Sequence, residues 1–394
     1  MSGARTILVN PPQGGNADIA NVALGFIAAA HPGCAVVDLN TFPSDPERLF
    51  RFGDHQHSIW FSVQSRSRLV AAELMARCRV VYPQAWDICS IVNPIRIQCS
   101  YPFVDLGLNG RLTDKMPDVP DYSGFDSYPL FAEKWSSGAW PYAVFTSWGC
   151  PYGCAYCAAR RTQWRARRVT DLVAELLYMH SQIRVVMILD EVFNLHHGRV
   201  LQVCVGMKQV GLEWMCTNGL RADLLCEVQA RTMQQSGCTT VGFGIECASD
   251  AVLKAIKKGE TVREIERGIG IAKQHFSSVS GYFIIGLPQS TYDLDRRSMD
   301  WAIKQGIYIH ASYYVPLASG ATFYGTASQP AGRPDYPAEQ QAALMQAAQG
   351  LSWGQRDVGA ALRARWRLAR GYGLRAAGRY LRMDAVKAWR RARR

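Results

Sequence analysis

The chain has 394 residues, 48% of them hydrophobic and 11% aromatic, with a formal net charge of +12. That length and apolar content suit two or three domains with sizeable cores. No run of about 18 apolar residues occurs, which excludes a membrane-spanning helix of ordinary length. The charge is local: residues 355–394 carry thirteen Lys or Arg against the two acids Asp357 and Asp384, so the other 354 residues are near +1. A uniformly basic nucleic-acid binder is not the pattern.

The opening Arg5-Thr6-Ile7-Leu8-Val9-Asn10 reads as a strand, with no signal-peptide pattern. Twelve cysteines in such a chain point to a reducing cytoplasm and to metal chemistry more than to disulfides.

Residues 1–125 read as one α/β unit. The strand from Thr6 to Val9 ends at Asn10-Pro11-Pro12. An apolar helix follows from Ile19 to Ala30, stopped by His31-Pro32-Gly33. Strands are expected at Cys34–Leu39, ending on Asp38, and at Ser58–Val63, with a helix over Arg66–Arg77. This alternation predicts a parallel, doubly wound sheet, in which ligands bind beyond the carboxyl ends of the strands. Residues 111–140 are rich in Pro, Asp and Tyr and read as an extended connection across a surface, with 126–141 as the linker proper.

Residues 142–330 repeat strand and helix. Strands are expected at 142–147, 185–189, 214–217, 240–245, 280–285 and 308–315, with helices over 170–180, 223–235, 262–274 and 295–305 among those between them. Thr170 is the expected N-cap of the first of these helices. The strands run out into polar ends: Asp190-Glu191, Asn218 to Arg221, Glu246, and Gly286-Leu287-Pro288. Six such units predict a partial (β/α)6 barrel of the TIM type with one polar mouth.

At that mouth the first strand leads into Cys150-Pro151-Tyr152-Gly153-Cys154-Ala155-Tyr156-Cys157. Three thiolates at C-x3-C-x2-C spacing can ligate three irons of one [4Fe-4S] cube and leave the fourth iron open. A zinc site would need a fourth ligand, and no C-x2-C or H-x3-H partner follows. Unrelated structural cysteines are the other alternative.

The loop, with the aromatic Tyr156 just before its third cysteine, resembles the signature of radical S-adenosylmethionine (SAM) enzymes. The resemblance implies that Cys150, Cys154 and Cys157 hold a [4Fe-4S] cluster. SAM would chelate the open iron and be cleaved by one electron to a 5′-deoxyadenosyl radical. It further implies SAM contacts from Asp190-Glu191, from the Asn218–Arg221 loop, and from Glu246 in Gly242-Phe243-Gly244-Ile245-Glu246. By the same resemblance Gly286-Leu287-Pro288 would pack near the adenine; the bland alternatives are an acidic helix start for Asp190-Glu191, helix capping for Arg221, and a structural turn for Gly286-Leu287-Pro288. The glycines of the Glu246 segment would allow close approach of backbone to a ligand.

The first unit resembles the cobalamin-binding domain that often precedes a radical SAM domain, through its Asn-Pro-Pro strand end, the helix near Ala20 and the Val36-Val37-Asp38 strand end. The Asp-x-His-x-x-Gly motif is absent, so the resemblance implies cobalamin without a histidine ligand. Residues 82–94 and Asn109-Gly110 depart from the later part of that pattern. The alternative is a Rossmann-like cap that binds no cofactor. Where related proteins often carry Arg two residues before the first cysteine, this chain has Trp148. Cys34, Cys78, Cys89 and Cys99 do not match the spacing of a second cluster. No cysteine lies beyond Cys247, so an auxiliary-cluster domain is not expected.

Residues 331–394 read as helical, with Leu362, Trp366 and Ala369 on one face and arginines opposite. Such a basic amphipathic tail suits a solvated helix packed on the barrel, an anionic membrane surface, or RNA. The expected function is cobalamin-dependent methylation of an unactivated carbon in a small biosynthetic substrate, with a flavodoxin or ferredoxin as electron donor. Cyclase, oxidase or rearrangement chemistry without methylcobalamin, and a non-enzymatic iron-sulfur scaffold, are the alternatives.

Overall fold

A computed structural model of the chain describes residues 6–11, 22–40, 45–52, 57–63, 68–82, 87–92, 120–157, 159–316, 322–325 and 337–348. The expectations for Pro12 to Ala20, Cys99, Asn109-Gly110, the segment 111–119 and the tail beyond 348 lie outside these residues, as does the side chain of Cys89. The chain divides into two compact units: residues 1–149 with 162–186, and residues 150–161 with 187–394.

In the first unit, β1 (Thr6–Asn10), β2 (Ala35–Asp38), β3 (Ser58–Val63) and β4 (Asp87–Val92) form a parallel sheet in the order β2-β1-β3-β4. This is the doubly wound order, with its topological switch between β1 and β3. Ile7, Leu8, Val9, Val36 and Val37 are almost wholly buried, as strands covered on both faces require. The helix Arg68–Val81 turns Ala71, Leu74 and Cys78 into the core. It runs four residues past the expected Arg77 end. Its last turn shows Arg79, Val80 and Val81 to solvent, so no apolar spacing announces it. The stop is Tyr82, whose buried hydroxyl donates to the Leu49 carbonyl at 2.9 Å.

Residues 120–141 are not the extended connection expected. Phe125 bridges Val36 on the free edge of β2, with the Val36 and Asp126 N–H groups donating to Gly124 and Val36. Ser127 donates to Oδ2 of Asp38 at 2.9 Å while Asn10 donates to Oδ1 at 2.8 Å. The helix Tyr128–Ser136 then buries Phe131 and Trp135. Trp135 meets Tyr122 and Tyr142 edge-on at 5.4 and 5.1 Å. Six aromatics within about twenty residues hold enough apolar surface to build a small core rather than a spacer.

The next strand is shorter than expected. β5 covers Tyr142–Val144, and Ser147-Trp148 (β6) turns to pair antiparallel with Arg165-Ala166 (β7). Gly149, at φ +84, allows this: a Cβ there would lie 2.1 Å from the Gln163 carbonyl oxygen. Trp148 is buried and stacks on Phe145. The following helix, Val169–Met179, starts after Arg168 rather than at a Thr170 cap. Its entry is fixed by Arg168 pairing with Asp171, and by the buried ion pair of Arg167 with Glu175.

The second unit carries the rest of the barrel. β8 (Val185–Ile188) crosses the boundary between the two units. β9 (Glu213–Leu220), β10 (Cys238–Glu246), β11 (Ser278–Ile285) and β12 (Tyr308–Pro316) pair in chain order, all parallel. An antiparallel β13 (Thr322–Gly325) follows. Helices 197–210, 227–235, 262–275 and 292–305 lie between them. All six expected strands exist, and the chain has the expected α/β architecture. The helix expected from Asp223 starts at Glu227, after Arg221, Ala222 and Asp223 have been drawn into the network described next.

Candidate functional site

Each polar strand end has a fixed address. β9 runs three residues further than its apolar core, through Asn218 and Gly219 to Leu220. Gly219 has φ +73, and a Cβ there would stand 2.0 Å from the Asp190 carbonyl oxygen. The glycine therefore lets β9 pass directly against the end of β8. The crossing is stitched by the Phe193 N–H to the Gly219 carbonyl at 2.7 Å, and by Asn194, which bonds both the carbonyl and the N–H of Arg221. Asp190 is buried and Glu191 half-buried, with Glu191 close enough to influence the Cys150 thiol. The next helix begins at His197, so these acids are not a helix start. Asn218 is exposed, its carbonyl accepting from the Cys216 thiol.

Arg221 is neither open to solvent nor a helix cap. Its guanidinium is buried, forks onto Asp223 at 3.0 Å, donates to the Lys258 and Gly259 carbonyls, and lies over the Tyr152 ring 3.7 Å from its centroid. Tyr152 belongs to the cysteine loop, so the end of β9 holds that loop. A second tie is the Ala155 N–H to the Ile256 carbonyl at 2.8 Å, and a third is the Arg161 N–H to the Tyr152 carbonyl.

The loop presents Cys150 and Cys157 half-buried and Cys154 buried, none in a disulfide. Each of the three thiols lies within electrostatic reach of at least one other. Burial pushes all three upward, Cys157 to about 12, while Lys258 acts the other way on Cys154. Thiolates here are stable when a metal takes their charge. Three free thiols in one loop suit a cube that takes one iron per thiolate.

β10 ends in a bulge between Gly244 and Glu246, and Glu246 sits at φ +66. Bulges re-aim a side chain, and a buried non-glycine residue in this region costs on the order of 1–3 kcal/mol. Glu246 points into a network. Its Oε1 accepts from the Tyr156 hydroxyl at 2.7 Å and from Lys258 Nζ at 3.2 Å. Its Oε2 is buried with no hydrogen-bond partner. Burial works against the Lys258 charge, but Glu246 and Glu260 outweigh it and hold the ammonium above its usual pKa. The glycines of this segment face protein rather than open space. A Cβ on Gly242 would be 2.5 Å from the Thr217 carbonyl oxygen, and one on Gly244 would be 2.7 Å from Glu246 Oε1. Gly286, at φ +80, makes a turn whose N–H donates to Asp295.

The second unit therefore joins Cys154, Tyr156, Glu246, Lys258, Arg221 and Tyr152 in one connected cluster. Lys258, Glu260 and Asn194 were not legible from sequence. Lys257-Lys258-Gly259-Glu260 reads as a solvated turn, and only Gly259 at φ +70 hints that the chain doubles back.

Residues 144–302 match the model of the radical SAM superfamily, and the bare carboxylate oxygen and three-thiol loop fit that family's cofactors. The chain carries a radical SAM domain. An uncharacterized methyltransferase of Pyrococcus horikoshii is 32% identical over 49% of this chain and 42% of its own length. An anaerobic magnesium-protoporphyrin IX monomethyl ester cyclase of Rubrivivax gelatinosus is 23% identical over 36% of the chain and 27% of its own. Among solved structures, the radical SAM methyltransferase TsrM from Kitasatospora setae, with cobalamin and a [4Fe-4S] cluster bound, superposes with a TM-score of 0.60. It is 15% identical, covering 80% of this chain and 73% of its own. The chain spans less than half the length of these two curated relatives.

Proposed function

We propose that the chain is a cobalamin-dependent radical SAM enzyme that methylates an unactivated carbon of a small biosynthetic substrate. The observation that carries it is the bond from Tyr156, inside the cysteine loop, to Glu246 at the carboxyl end of β10. It ties a three-thiol loop to a buried carboxylate with one oxygen left for a ligand. In this reading Cys150, Cys154 and Cys157 hold the cluster. Glu246, with Asp190 and Glu191, faces the amino-acid end of SAM. Arg221 steadies the loop through Tyr152, and Asn218 stands at the exposed rim. The cofactors, when bound, supply one-electron cleavage of SAM and the methyl carrier. The chain's own residues supply orientation and a dry, charged wall. The doubly wound order of the first sheet and the likeness of fold to TsrM support cobalamin. A flavodoxin- or ferredoxin-type donor of one electron is implied by the same reading. Contact of the basic tail with an anionic surface remains part of the proposal.

The test is anaerobic. The cluster is reconstituted, hydroxocobalamin is added, and retained cobalt is measured after desalting. Near-stoichiometric cobalamin supports the reading. An intact cluster with no cobalamin overturns methyl transfer and leaves cyclase or oxidase chemistry, which the similarity to the Rubrivivax cyclase favours. Product mass separates these, because only methylation adds a methyl group. Cys154→Ala is expected to abolish SAM cleavage, and cleavage that persists removes the cysteine assignment.

A further inference from the structure

Five charged side chains meet behind the cysteine loop. Lys258 Nζ lies 3.2 Å from Glu246 Oε1 and 3.5 Å from Glu260 Oε2. Arg221 lies 3.0 Å from Asp223 and 3.7 Å from Glu260 Oε2. Glu260 Oε1 accepts the Ala222 and Asp223 N–H groups, and its Oε2, though it makes no hydrogen bond, has both cations within 3.7 Å. Glu246 is served on one side only. Its Oε1 holds Tyr156 and Lys258, while Oε2 is buried and bare.

Three carboxylates and two cations leave the cluster at −1. A buried carboxylate oxygen without a partner is costly, and the cheapest way to satisfy both deficits is one cationic donor at Oε2. The arrangement is built rather than incidental. Gly244 is needed for it, because a Cβ there would crowd both Glu246 Oε1 and Lys258 Nζ, at 2.7 and 3.1 Å. Lys258 is fixed in turn by its backbone, its carbonyl accepting from Arg221 and its N–H donating to the Leu253 carbonyl.

We infer that Lys258 and Tyr156 are positioning residues: by holding Oε1 of Glu246 from two sides they present Oε2 to a cationic group of SAM. Lys258 has a second effect there. By neutralising one carboxylate of the pair it keeps the site one charge short rather than two, so it selects a ligand of single positive excess at this point. The inference rests on the SAM-binding part of the proposed function.

The test is binding, not turnover. The cluster-loaded full chain is dialysed anaerobically against SAM, and separately against 5′-methylthioadenosine, which keeps the adenosine and lacks both the ammonium and the sulfonium. For Lys258→Met the SAM Kd is expected to rise about tenfold or more while the 5′-methylthioadenosine Kd stays within about twofold. Lys258→Arg, which can still donate to Oε1, restores most of the loss. Tyr156→Phe, which removes one hydroxyl, weakens SAM by about threefold to tenfold and spares the neutral ligand. Iron and sulfide content show whether each variant keeps its cluster. Should Lys258→Met lose the cluster, Tyr156→Phe and Lys258→Arg decide the matter. Equal losses for both ligands, or wild-type SAM affinity in Lys258→Met or in Glu246→Gln, overturn the inference while leaving SAM binding itself intact. Failure of the wild-type chain to bind SAM overturns the proposed function along with it.

Discussion

The guanidinium of Arg221 lies over the ring of Tyr152, 3.7 Å from its centroid, and so the end of β9 clamps the loop that carries the three cysteines. Arg221→Ala removes this contact, leaves Asp223 without its guanidinium and leaves Glu260 with Lys258 alone. Breaking a buried charge network in this way costs about 3–5 kcal/mol. Arg221→Lys keeps the charge but not the fork, and is expected to recover less than half of that. Urea unfolding of the metal-free chain measures the cost. Iron per chain after gel filtration is expected to fall in both variants, more in Arg221→Ala.

Gly219→Ala is expected to be among the most damaging single-methyl changes in the chain. The residue sits at φ +73, and its new Cβ would meet the Asp190 carbonyl oxygen at 2.0 Å. Conformational strain alone is on the order of 1 kcal/mol, and the backbone clash adds to it. The end of β8 must then shift, carrying Asp190 and Glu191 with it. A lower melting temperature together with a weaker SAM Kd checks this. Gly211→Ala is the control, since that glycine has a similar φ, +73, and nothing within 4 Å of its would-be Cβ.

Glu175 is buried between Arg167 and the Tyr142 hydroxyl, which donates to it at 2.7 Å. Glu175→Ala takes the buried carboxylate away from the Arg167 guanidinium, at a cost of about 3–5 kcal/mol. The double change Glu175→Leu with Arg167→Met removes both charges and is expected to return most of that stability. Two unfolding curves separate a broken pair from a removed one.

Alkaline pH should destabilise the fold in a defined window. Burial holds Cys216 and Cys238 well above their ordinary value of 9, and burial with Glu175 does the same to Tyr142 above 10. Below pH 9 both states keep these protons and the contribution is whole. Above about pH 9 for the thiols and about pH 10 for the phenol, the unfolded chain releases the proton and the folded chain does not, so each group then costs about 1.4 kcal/mol per pH unit. Unfolding free energies at pH 8, 9 and 10 are expected to fall increasingly steeply. Cys216→Ala should flatten the slope by one group.

The barrel was legible because its strands are short apolar runs ended by polar residues, a pattern that local chemistry imposes at every repeat. The cysteine loop stood out because its three thiols lie within eight residues, where spacing alone can be read. Glu246 was singled out through its Gly-x-Gly-x-Glu setting, where the glycines make room for the Thr217 carbonyl and for the Glu246 and Lys258 side chains. Lys258 and Asn194 were hidden for a physical reason. Each acts on a residue far away in sequence, and nothing in Lys257-Lys258-Gly259 says that one ammonium turns inward to a strand end twelve residues back. Residues 120–141 were misread because Pro and Asp at turn positions mask the spacing of Tyr122, Phe125, Phe131 and Trp135. Arg221 looked like a ligand-binding arginine, and the structure spends its donors on Asp223 and two carbonyls.

The bridge between Val36 and Phe125 bears on how the first unit is made. Its β2 edge is completed by a segment almost ninety residues downstream, and Asp38 finds Ser127 only then. During synthesis the sheet therefore emerges with an open, hydrogen-bond-hungry margin, the kind that invites pairing between nascent chains. Any excised fragment that stops before Gly124 inherits the same margin permanently. It is expected to aggregate where a fragment reaching Trp140 stays dispersed.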